Sequence, residues 1–230
     1  MSESIPYIIC HMATTIDGKT DGAAMRKVLK SGEYEALHTK LGGQAWICGR
    51  QTMEEHFSQK EPFHPNSNVP AGPQPVHVAR RADSYAICVD TLGKLNWSSG
   101  DLAGDHLICV VSERVSSEYL ATLREKHISY VVAGESSVDL AKAVHLLGEH
   151  FGIQTLLLEG GGHINGGFLQ AGLIDEVSLL LAPGVDGRHE VAGLFDGIAD
   201  SHRAAFPLKL KSVERREADA LWIRYSVVRP

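Results

Sequence analysis

Short apolar runs alternate with amphipathic stretches along most of the chain. The runs at 5–13, 45–48 and 106–111 are almost entirely apolar, which is typical of strands buried on both faces. Between such runs the spacing becomes helical, as at 138–151, where the apolar residues form one stripe. Alternation of this kind predicts an α/β fold with a mostly parallel central sheet.

The same pattern predicts the remaining elements. Further strands are expected at 76–79, 85–89, 129–132, 155–158 and 176–182, and further helices at 31–41, 50–57, from Ser117 onward and from Gly162 to 171. Ser31 is the expected N-cap of the helix at 31–41. The C-terminus differs, because 208–215 and 221–228 predict an antiparallel hairpin.

Two irregular stretches interrupt the pattern without breaking the chain into separate parts. Five of the nine prolines lie between 60 and 75, within an excursion that covers about 58–105. A second loop, rich in glycine, is expected at 183–204. Neither stretch has the composition of a linker, so one domain over residues 1–230 is the natural interpretation.

One turn stands out chemically. The apolar run at 155–158 ends at Glu159, three glycines follow at 160–162, and a helical pattern begins. Glycine lets backbone approach a bulky anion, and a helix N-terminus directs unpaired N–H groups toward it. This turn could hold a nucleotide pyrophosphate, although its spacing is not G-x-G-x-x-G. A simple tight turn is the alternative.

Loops beginning at Thr14, Gly49, Ser112 and Gly160 each follow the carboxyl end of a predicted buried strand. In an open α/β sheet, ligands bind at those ends. The convergence of four such loops indicates a ligand site more strongly than any single motif.

Arginines and a serine in these loops suit a phosphate. Arg50 follows Gly49 directly, and Ser112 and Arg114 follow the strand at 106–111. A guanidinium fork with a hydroxyl donor could bind the 2′-phosphate of an adenosine. Alternatively, the arginines are solvated or pair with acids four residues further along their helices, Glu54 and Glu118.

Three residues are candidates for proton transfer or substrate contact. Asp17 lies in a polar turn, where an Asx turn is the common alternative. Glu159 ends a buried strand beside the possible anion site, or else only accepts N–H bonds from its own turn. His11 interrupts the first strand, where a hydrogen-bonded core histidine is the usual alternative.

Composition limits the partners. The net charge of −6 argues against nucleic acid or a membrane surface as the main partner. The four cysteines stand singly in apolar runs, which indicates reduced thiols in a cytoplasmic protein and neither a disulfide framework nor a metal site. No signal peptide or membrane-spanning run is evident.

Several of these segments together resemble the reductase domain of riboflavin biosynthesis, the RibD C-terminal family of the dihydrofolate-reductase-like superfamily. They are ATTIDGK at 13–19, GRQT at 49–52, EGGGHING at 159–166, AP at 182–183 and LWIRY at 221–225. The resemblance covers nearly the whole chain, and the glycine turn is its most specific part.

The resemblance implies a dihydrofolate-reductase-like three-layer α/β/α fold with a mostly parallel central sheet, usually forming a homodimer. It also implies NADPH as cofactor and reduction of a phosphorylated ribosylaminopyrimidine, as in 5-amino-6-(5-phosphoribosylamino)uracil reductase. By position, Ala13 and Thr20 would flank the nicotinamide, and the Gly160–Gly161 peptide would be cis. The other implied cofactor contacts are Gly49, Arg50, Gln51, Thr52, Ser112 and Arg114 for the adenosine phosphates, and Gly160, Gly161, Gly162, Ile164 and Asn165 for the pyrophosphate and nicotinamide ribose.

Two departures from the family pattern concern the substrate half of the site. The riboflavin reductases usually carry Lys where His11 stands, and an Asp-x-Pro-x-Leu-Thr-like stretch where 54–57 reads Glu-Glu-His-Phe. Another heterocycle reductase, including a dihydrofolate-type enzyme, and a non-catalytic nucleotide-binding protein therefore stay open as alternatives.

Overall fold

The computed structural model describes residues 5–198 and 205–229. The strands are β1 (Tyr7–Thr14), β2 (Ala45–Gly49), β3 (Tyr85–Val89), β4 (Asp101–Leu102), β5 (Asp105–Val111), β6 (Ser129–Val132), β7 (Thr155–Leu158), β8 (Glu176–Leu181), β9 (Leu208–Arg215) and β10 (Leu221–Val227). The helices are α1 (Gly22–Met25), α2 (Glu33–Leu41), α3 (Arg50–His56), α4 (Ser117–Glu125), α5 (Leu140–Phe151) and α6 (Gly162–Gln170). The fold is thus mixed α/β, as predicted.

The described residues form two compact units. One contains 5–6 and 44–156, and the other contains 7–43, 157–198 and 205–229. The interpretation of 1–230 as a single domain stays a prediction. Of the loop expected at 183–204, residues 199–204 lie outside the described part of the chain.

The first unit is built on parallel strands. β2, β3, β5 and β6 pair side by side in that order, and the short β4 joins β5 antiparallel. Their continuous apolar runs are explained by burial on both faces. Cys48, Cys88 and Cys109 stand opposite one another in this register, and all three are buried. Burial raises the pKa of Cys88, which keeps it protonated at neutral pH.

The second unit carries the antiparallel C-terminus. β1 pairs parallel with β8, and β10 lies antiparallel between β8 and β9. The predicted C-terminal hairpin is therefore confirmed. Helix α2 contributes Leu37 to a buried cluster with Leu180, Ala220 and Trp222, which covers one face of these strands.

The strand predicted at 76–79 is wrong. His77 makes only an isolated bridge to Tyr130, with an N–H···O bond in each direction. The Ala79 N–H is instead satisfied by the Ser129 hydroxyl at 3.0 Å, so the backbone hydrogen bonds needed for a continuous ladder do not form.

The predicted N-cap of α2 is also wrong. Gly32, with φ of 79°, occupies the N-cap position, and no side chain accepts a bond from the first turn. Glu33 and Glu35 place negative charge in that turn instead, where the helix dipole favours it. Two residues of the helix predicted from 138 lie outside α5, since Asp139 caps it by accepting the Lys142 N–H at 3.0 Å.

Candidate functional site

Glu159 is held against a histidine in the second unit. It directly follows β7, and its Oε1 lies 2.8 Å from Nδ1 of His38 on α2. The Glu159 side chain is 13% exposed and that of His38 is 33% exposed. A largely buried carboxylate in contact with a partly solvated imidazole is an arrangement that can bind and release protons.

His11 is embedded in a buried polar network. Its Nδ1 lies 3.1 Å from the Ser178 hydroxyl, which also accepts the Trp222 indole N–H at 2.8 Å. Its ring stacks on Tyr34 with centroids 4.4 Å apart. Burial lowers the pKa of His11, although the Glu159 charge opposes the shift. These contacts are those of a hydrogen-bonded core histidine, and a direct role in the reaction stays a prediction.

Asp17 holds a loop. Its carboxylate accepts the N–H groups of Asp186 at 3.0 Å and Gly187 at 2.8 Å. These two bonds are the main reason that the pKa of this exposed carboxyl lies well below its usual range. An acid that stays ionised at neutral pH is a poor proton donor, so the contacts support an anchoring role; the predicted catalytic role has not been tested.

The loops after β1 and β8 are joined at a second point. Both the backbone N–H and the hydroxyl of Thr20 donate to the Ala192 carbonyl, at 3.1 and 3.2 Å. Lys19 donates through Nζ to the Val191 carbonyl at 3.1 Å. Ala13, by contrast, is half-buried against the cluster around Leu37. The two predicted nicotinamide neighbours therefore have different surroundings within this unit.

The glycine turn has the backbone form that the resemblance implied. The Gly160–Gly161 peptide is cis, and Gly160 has φ of 95°, which is unfavourable for residues with a side chain. Helix α6 then begins at Gly162, with Gly161 as an N-cap that offers no side-chain bond. The first-turn N–H groups, including that of Ile164, lack intrahelical acceptors, as at any helix N-terminus.

One buried acceptor in α6 is unsatisfied. Asn165 is fully buried, and its Nδ2 donates to the Leu194 carbonyl at 2.9 Å. Its Oδ1 has no hydrogen-bond partner among the described residues. The Asn165 Oδ1 could accept a hydrogen bond from a nucleotide hydroxyl. The backbone N–H groups in the first turn of α6 could donate to a nucleotide phosphate.

At Gly162, however, the atoms packed closest to where a Cβ would lie belong to this chain's own segment 193–196 and not to a ligand. A Cβ at this position would lie 2.3 Å from Oδ2 of Asp196 and 2.5 Å from the Gly193 carbonyl oxygen. A Cβ on Gly166 would lie 2.0 Å from the Asp196 carbonyl oxygen. These two glycines let the segment around Asp196 pack on α6, a reason for glycine that the sequence pattern did not suggest.

The predicted phosphate-binding residues of the first unit lie at one edge of its sheet. Gly49 ends β2, and Ser112 follows β5; because these strands are parallel and in register through β3, both loops leave the same edge. Arg50 pairs with Glu54 at 2.5 Å, which is the helical contact considered as the alternative, yet its side chain is 42% exposed. Gln51 is exposed and Thr52 is half-buried.

Ser112 and Arg114 differ in what they offer. Ser112 is fully buried, and its hydroxyl donates to the Thr91 carbonyl at 2.9 Å. Arg114 is exposed. The alternative pairing of Arg114 with Glu118 is not observed, because Glu118 accepts the Asn66 backbone and side-chain N–H groups at 2.8 and 2.7 Å. Arg114 is thus better placed than Ser112 to meet an anion directly.

His38 is the site residue that sequence reasoning missed. It belongs to no motif and no segment of the resemblance. The available signal was its position four residues after Tyr34 on α2, beside the buried Leu37, since a polar residue next to an inward helical stripe invites a search for its partner.

The described ranges contain neither a cluster of potential metal ligands nor a helix suited to a membrane. No group of three or more His, Cys, Asp or Glu side chains within 5–198 and 205–229 could hold a metal ion. No helix in those ranges has the length and apolar content required to cross a membrane.

Known proteins resemble this chain over nearly its full length. The RibD C-terminal domain model matches residues 6–222. A 2,5-diamino-6-ribosylamino-4(3H)-pyrimidinone 5′-phosphate reductase of Methanothermobacter thermautotrophicus is 34% identical over 215 residues, covering 90% of this chain and 91% of the relative. RibD of Actinobacillus pleuropneumoniae is 27% identical over 98% of this chain, which spans 58% of that protein.

Solved structures share the fold. A pyrimidine reductase-like protein from Corynebacterium diphtheriae superposes with a TM-score of 0.73 at 18% identity, covering 98% of this chain and 93% of its own. RibD from Acinetobacter baumannii gives 0.69 at 19% identity, over 99% of this chain and 59% of the other. With the match to residues 6–222, these findings show that the chain belongs to the RibD C-terminal domain family.

Proposed function

We propose that the protein is the NADPH-dependent pyrimidine reductase of riboflavin biosynthesis, converting a ribosylamino group to a ribitylamino group. The observation that carries this proposal is the 34% identity to a reductase of that kind across 91% of the relative's length. The largely buried Glu159 beside the glycine turn supports it, because a reductase needs both a nucleotide cradle and a proton source.

The substrate proposed is the 2,5-diamino pyrimidinone phosphate named for that relative. The competing substrate is 5-amino-6-(5-phosphoribosylamino)uracil, named for a bifunctional deaminase and reductase of Thermotoga maritima that shares the fold at 15% identity. The two pyrimidines differ at C2, which carries an amino group in the first and an oxygen in the second. Comparing turnover of both substrates decides between them.

Each unit offers its own cofactor contacts in this proposal. In the second unit the α6 N-terminus and Asn165 would receive the polar groups of the nucleotide, with Ala13 and Thr20 near the nicotinamide. In the first unit Arg50 and Arg114 offer exposed guanidinium groups to the adenosine phosphates, and Ser112 would act by holding the Arg114 backbone N–H at 3.3 Å. When bound, NADPH supplies the hydride, and the chain supplies orientation and the proton.

Glu159 is the proposed acid–base group of the reaction. Hydride reduction of an imine forms a C–H bond at carbon and an N–H bond at nitrogen as the π bond breaks, so one proton is consumed per turnover. Asp17 stays ionised and His11 resists protonation. Glu159 alone of the three predicted residues contacts a partly exposed second proton carrier, His38.

Cofactor preference and turnover test the proposal together. The purified protein is expected to oxidise NADPH with the diamino substrate and to bind NADPH more tightly than NADH. Arg50→Ala should weaken NADPH binding by roughly tenfold to a hundredfold, the value of one charge-assisted hydrogen bond, whereas the exposed control Arg81→Ala should not. Equal binding of both cofactors would contradict the assignment. NADPH binding without turnover of either pyrimidine or of a pterin would indicate a non-catalytic protein.

We also infer that the protein is a homodimer that pairs through one face of the β8–β10–β9 strands. Leu208, Leu210 and Val213 on β9 are 42%, 54% and 52% exposed. Their register partners on β10 are Val227, Tyr225 and Ile223, which are half-buried and share the same face. The opposite face is covered, with Trp222 and Ser178 fully buried. A second copy presents the same apolar face, which suits a two-fold interface, and Arg215 at the end of that face is paired with Asp219.

Light scattering coupled to size-exclusion chromatography tests this inference. The wild-type protein is expected at twice the mass of one chain. Leu210→Asp should give the monomer mass because it places a charge in the centre of the apolar face, while Val69→Asp, at a residue 63% exposed in the other unit, should leave the dimer intact. A monomeric wild-type protein at micromolar concentration would overturn the inference.

A further inference from the structure

The carboxylate of Glu159 is contacted from a helix that carries no family motif. His38 lies on α2, and its Nδ1 is 2.8 Å from Oε1 of Glu159. This distance is that of a charge-assisted hydrogen bond. Since His38 and Glu159 are 121 residues apart in sequence, only the folded unit creates the contact.

Helix α2 is firmly seated, so His38 has a defined position. Leu37, its chain neighbour, is fully buried. Tyr34, one turn earlier on the same side, stacks on His11 and donates its hydroxyl to the His11 carbonyl at 2.9 Å. Glu33 anchors the helix from another side through an ion pair with Arg216 at 2.5 Å. A residue on a rigid helix can orient a partner more accurately than one on a loop.

Two other titratable groups near Glu159 are poor proton carriers. Cys10 and His11 on β1 both sense its negative charge. Burial raises the pKa of the Cys10 thiol far above neutrality and lowers that of the His11 ring, so neither changes charge readily at neutral pH. His38 is the neighbour that both contacts the carboxylate and is exposed to solvent, at 33% of its side chain.

We propose that His38 is a positioning residue that orients the Glu159 carboxylate and exchanges protons between it and solvent. The inference rests on the proposed reductase function, in which Glu159 handles the proton consumed at each turnover. The imidazolium form of His38 passes its Nδ1 proton to Oε1 of Glu159, which leaves a neutral ring protonated on Nε2, and Glu159 passes that proton to the substrate nitrogen. A hydronium ion from solvent then reprotonates Nδ1 as the partly exposed ring swings outward and becomes water, so no further reactant is needed.

NMR titration of the histidine rings in the cofactor-free protein tests the interaction between His38 and Glu159 independently of enzyme activity. In the wild type, the His38 ring signals should follow the protonation of an imidazole that contacts a carboxylate at 2.8 Å. In Glu159→Gln the midpoint of the His38 titration should move to lower pH, because the carboxylate that stabilises the protonated ring is gone. A His38 titration that is identical in the two proteins would overturn the proposal, whatever the enzyme's activity.

Two substitutions at His38 distinguish orientation of the Glu159 carboxylate from simple filling of space by the His38 side chain. His38→Ala removes the donor, and we expect kcat/KM to fall at least about tenfold, less than the hundredfold or more for a direct acid–base group. His38→Asn keeps an amide N–H near the Nδ1 position but cannot carry a proton. It should recover part of kcat/KM while losing the ionisation that the wild-type pH profile shows.

The matched control is His145→Asn on α5. His145 also faces a glutamate, Glu149, but at 3.6 Å and with 44% exposure, so its replacement should leave the pH profile unchanged. A wild-type pH profile in His38→Asn would overturn the proposal. Absence of reductase activity in the wild type would instead contradict the proposed function, and the NMR titration would still decide whether His38 and Glu159 exchange protons.

Discussion

Glu159→Gln is expected to lower kcat by about a hundredfold or more while leaving NADPH affinity nearly unchanged. Glutamine has almost the same shape as glutamate and can still meet His38 through its amide oxygen, so the loss would reflect proton handling rather than packing. General acid–base groups contribute about 10²- to 10⁴-fold to the rate. The Glu159 side chain is 13% exposed, so water cannot easily replace it as the proton source.

Steady-state kinetics with the diamino pyrimidine phosphate, and NADPH titration of the free protein, measure the two parts of this prediction. Glu149→Gln is the control, since it makes the same chemical change on an exposed part of α5 and should retain wild-type kcat. If Glu159→Gln turned over at the wild-type rate, the proton would have to come from another group. Asp17→Asn would then be measured next, and under the present proposal it should chiefly loosen the loop at 186–187.

Glu176→Ala is expected to lower the free energy of unfolding by about 3 kcal/mol, the low end of the range for breaking a buried ion pair. Glu176 starts β8 and is fully buried. It accepts hydrogen bonds from Lys211 on β9 and Arg224 on β10. Its removal leaves two cations without their shared acceptor; because both are partly solvated, the low end of the range applies.

The same carboxylate should make stability depend on pH. Burial raises the pKa of Glu176, but the hydrogen bonds from Arg224 and Lys211 outweigh burial and hold it below its usual value. A lowered pKa means that the stabilisation is complete above about pH 4.3, the ordinary glutamate value, and is lost as pH falls through the lowered one. The stability difference between wild type and Glu176→Ala should therefore shrink on acidification below that pH.

Urea denaturation at neutral and acidic pH checks both statements. Glu214→Ala on β9 is the control, because its ion pair with Lys40 is solvated, with side chains 40% and 51% exposed. A solvated pair contributes about 1 kcal/mol or less. Equal destabilisation by the two substitutions, or a Glu176→Ala deficit that persists at low pH, would contradict the assignment of the Glu176 cluster as a buried anchor.

Local patterns in the sequence were sufficient to predict most of the strands and helices and the position of the glycine turn. Apolar runs, together with the predicted C-terminal hairpin, located nine of the ten strands in the described residues, and the short β4 was not predicted. The failure at 76–79 has a local cause too, since Ser129 supplies from its side chain a bond that the pattern assigned to a ladder. A strand is predicted from the residues next to one another in the sequence. The hydroxyl that accepts the Ala79 N–H belongs to Ser129, which is 50 residues away, so the local pattern does not reveal it.

The roles of individual polar residues were less accessible. The sequence identified Asp17, Arg50 and Glu159 as charged residues that follow predicted strands. It did not identify the groups to which they are hydrogen-bonded. Only the folded chain shows that the Asp17 carboxylate accepts hydrogen bonds from the N–H groups of 186–187. It also shows that Arg50 forms an ion pair with Glu54 and that Glu159 is hydrogen-bonded to His38. Ser112 shows the same limit, because its burial depends on Thr91 and the strands around it.

The sequence by itself determined the α/β class, the antiparallel C-terminal hairpin and the position of the glycine turn before α6. These features follow from periodicity and from glycine, which act over a few residues. The tertiary structure decided which acid contacts a partly exposed histidine, why Gly162 and Gly166 must lack side chains, and which sheet face carries exposed apolar residues. Those properties depend on burial and on contacts between residues that are distant in the sequence or paired across a strand register, and a local pattern does not encode them.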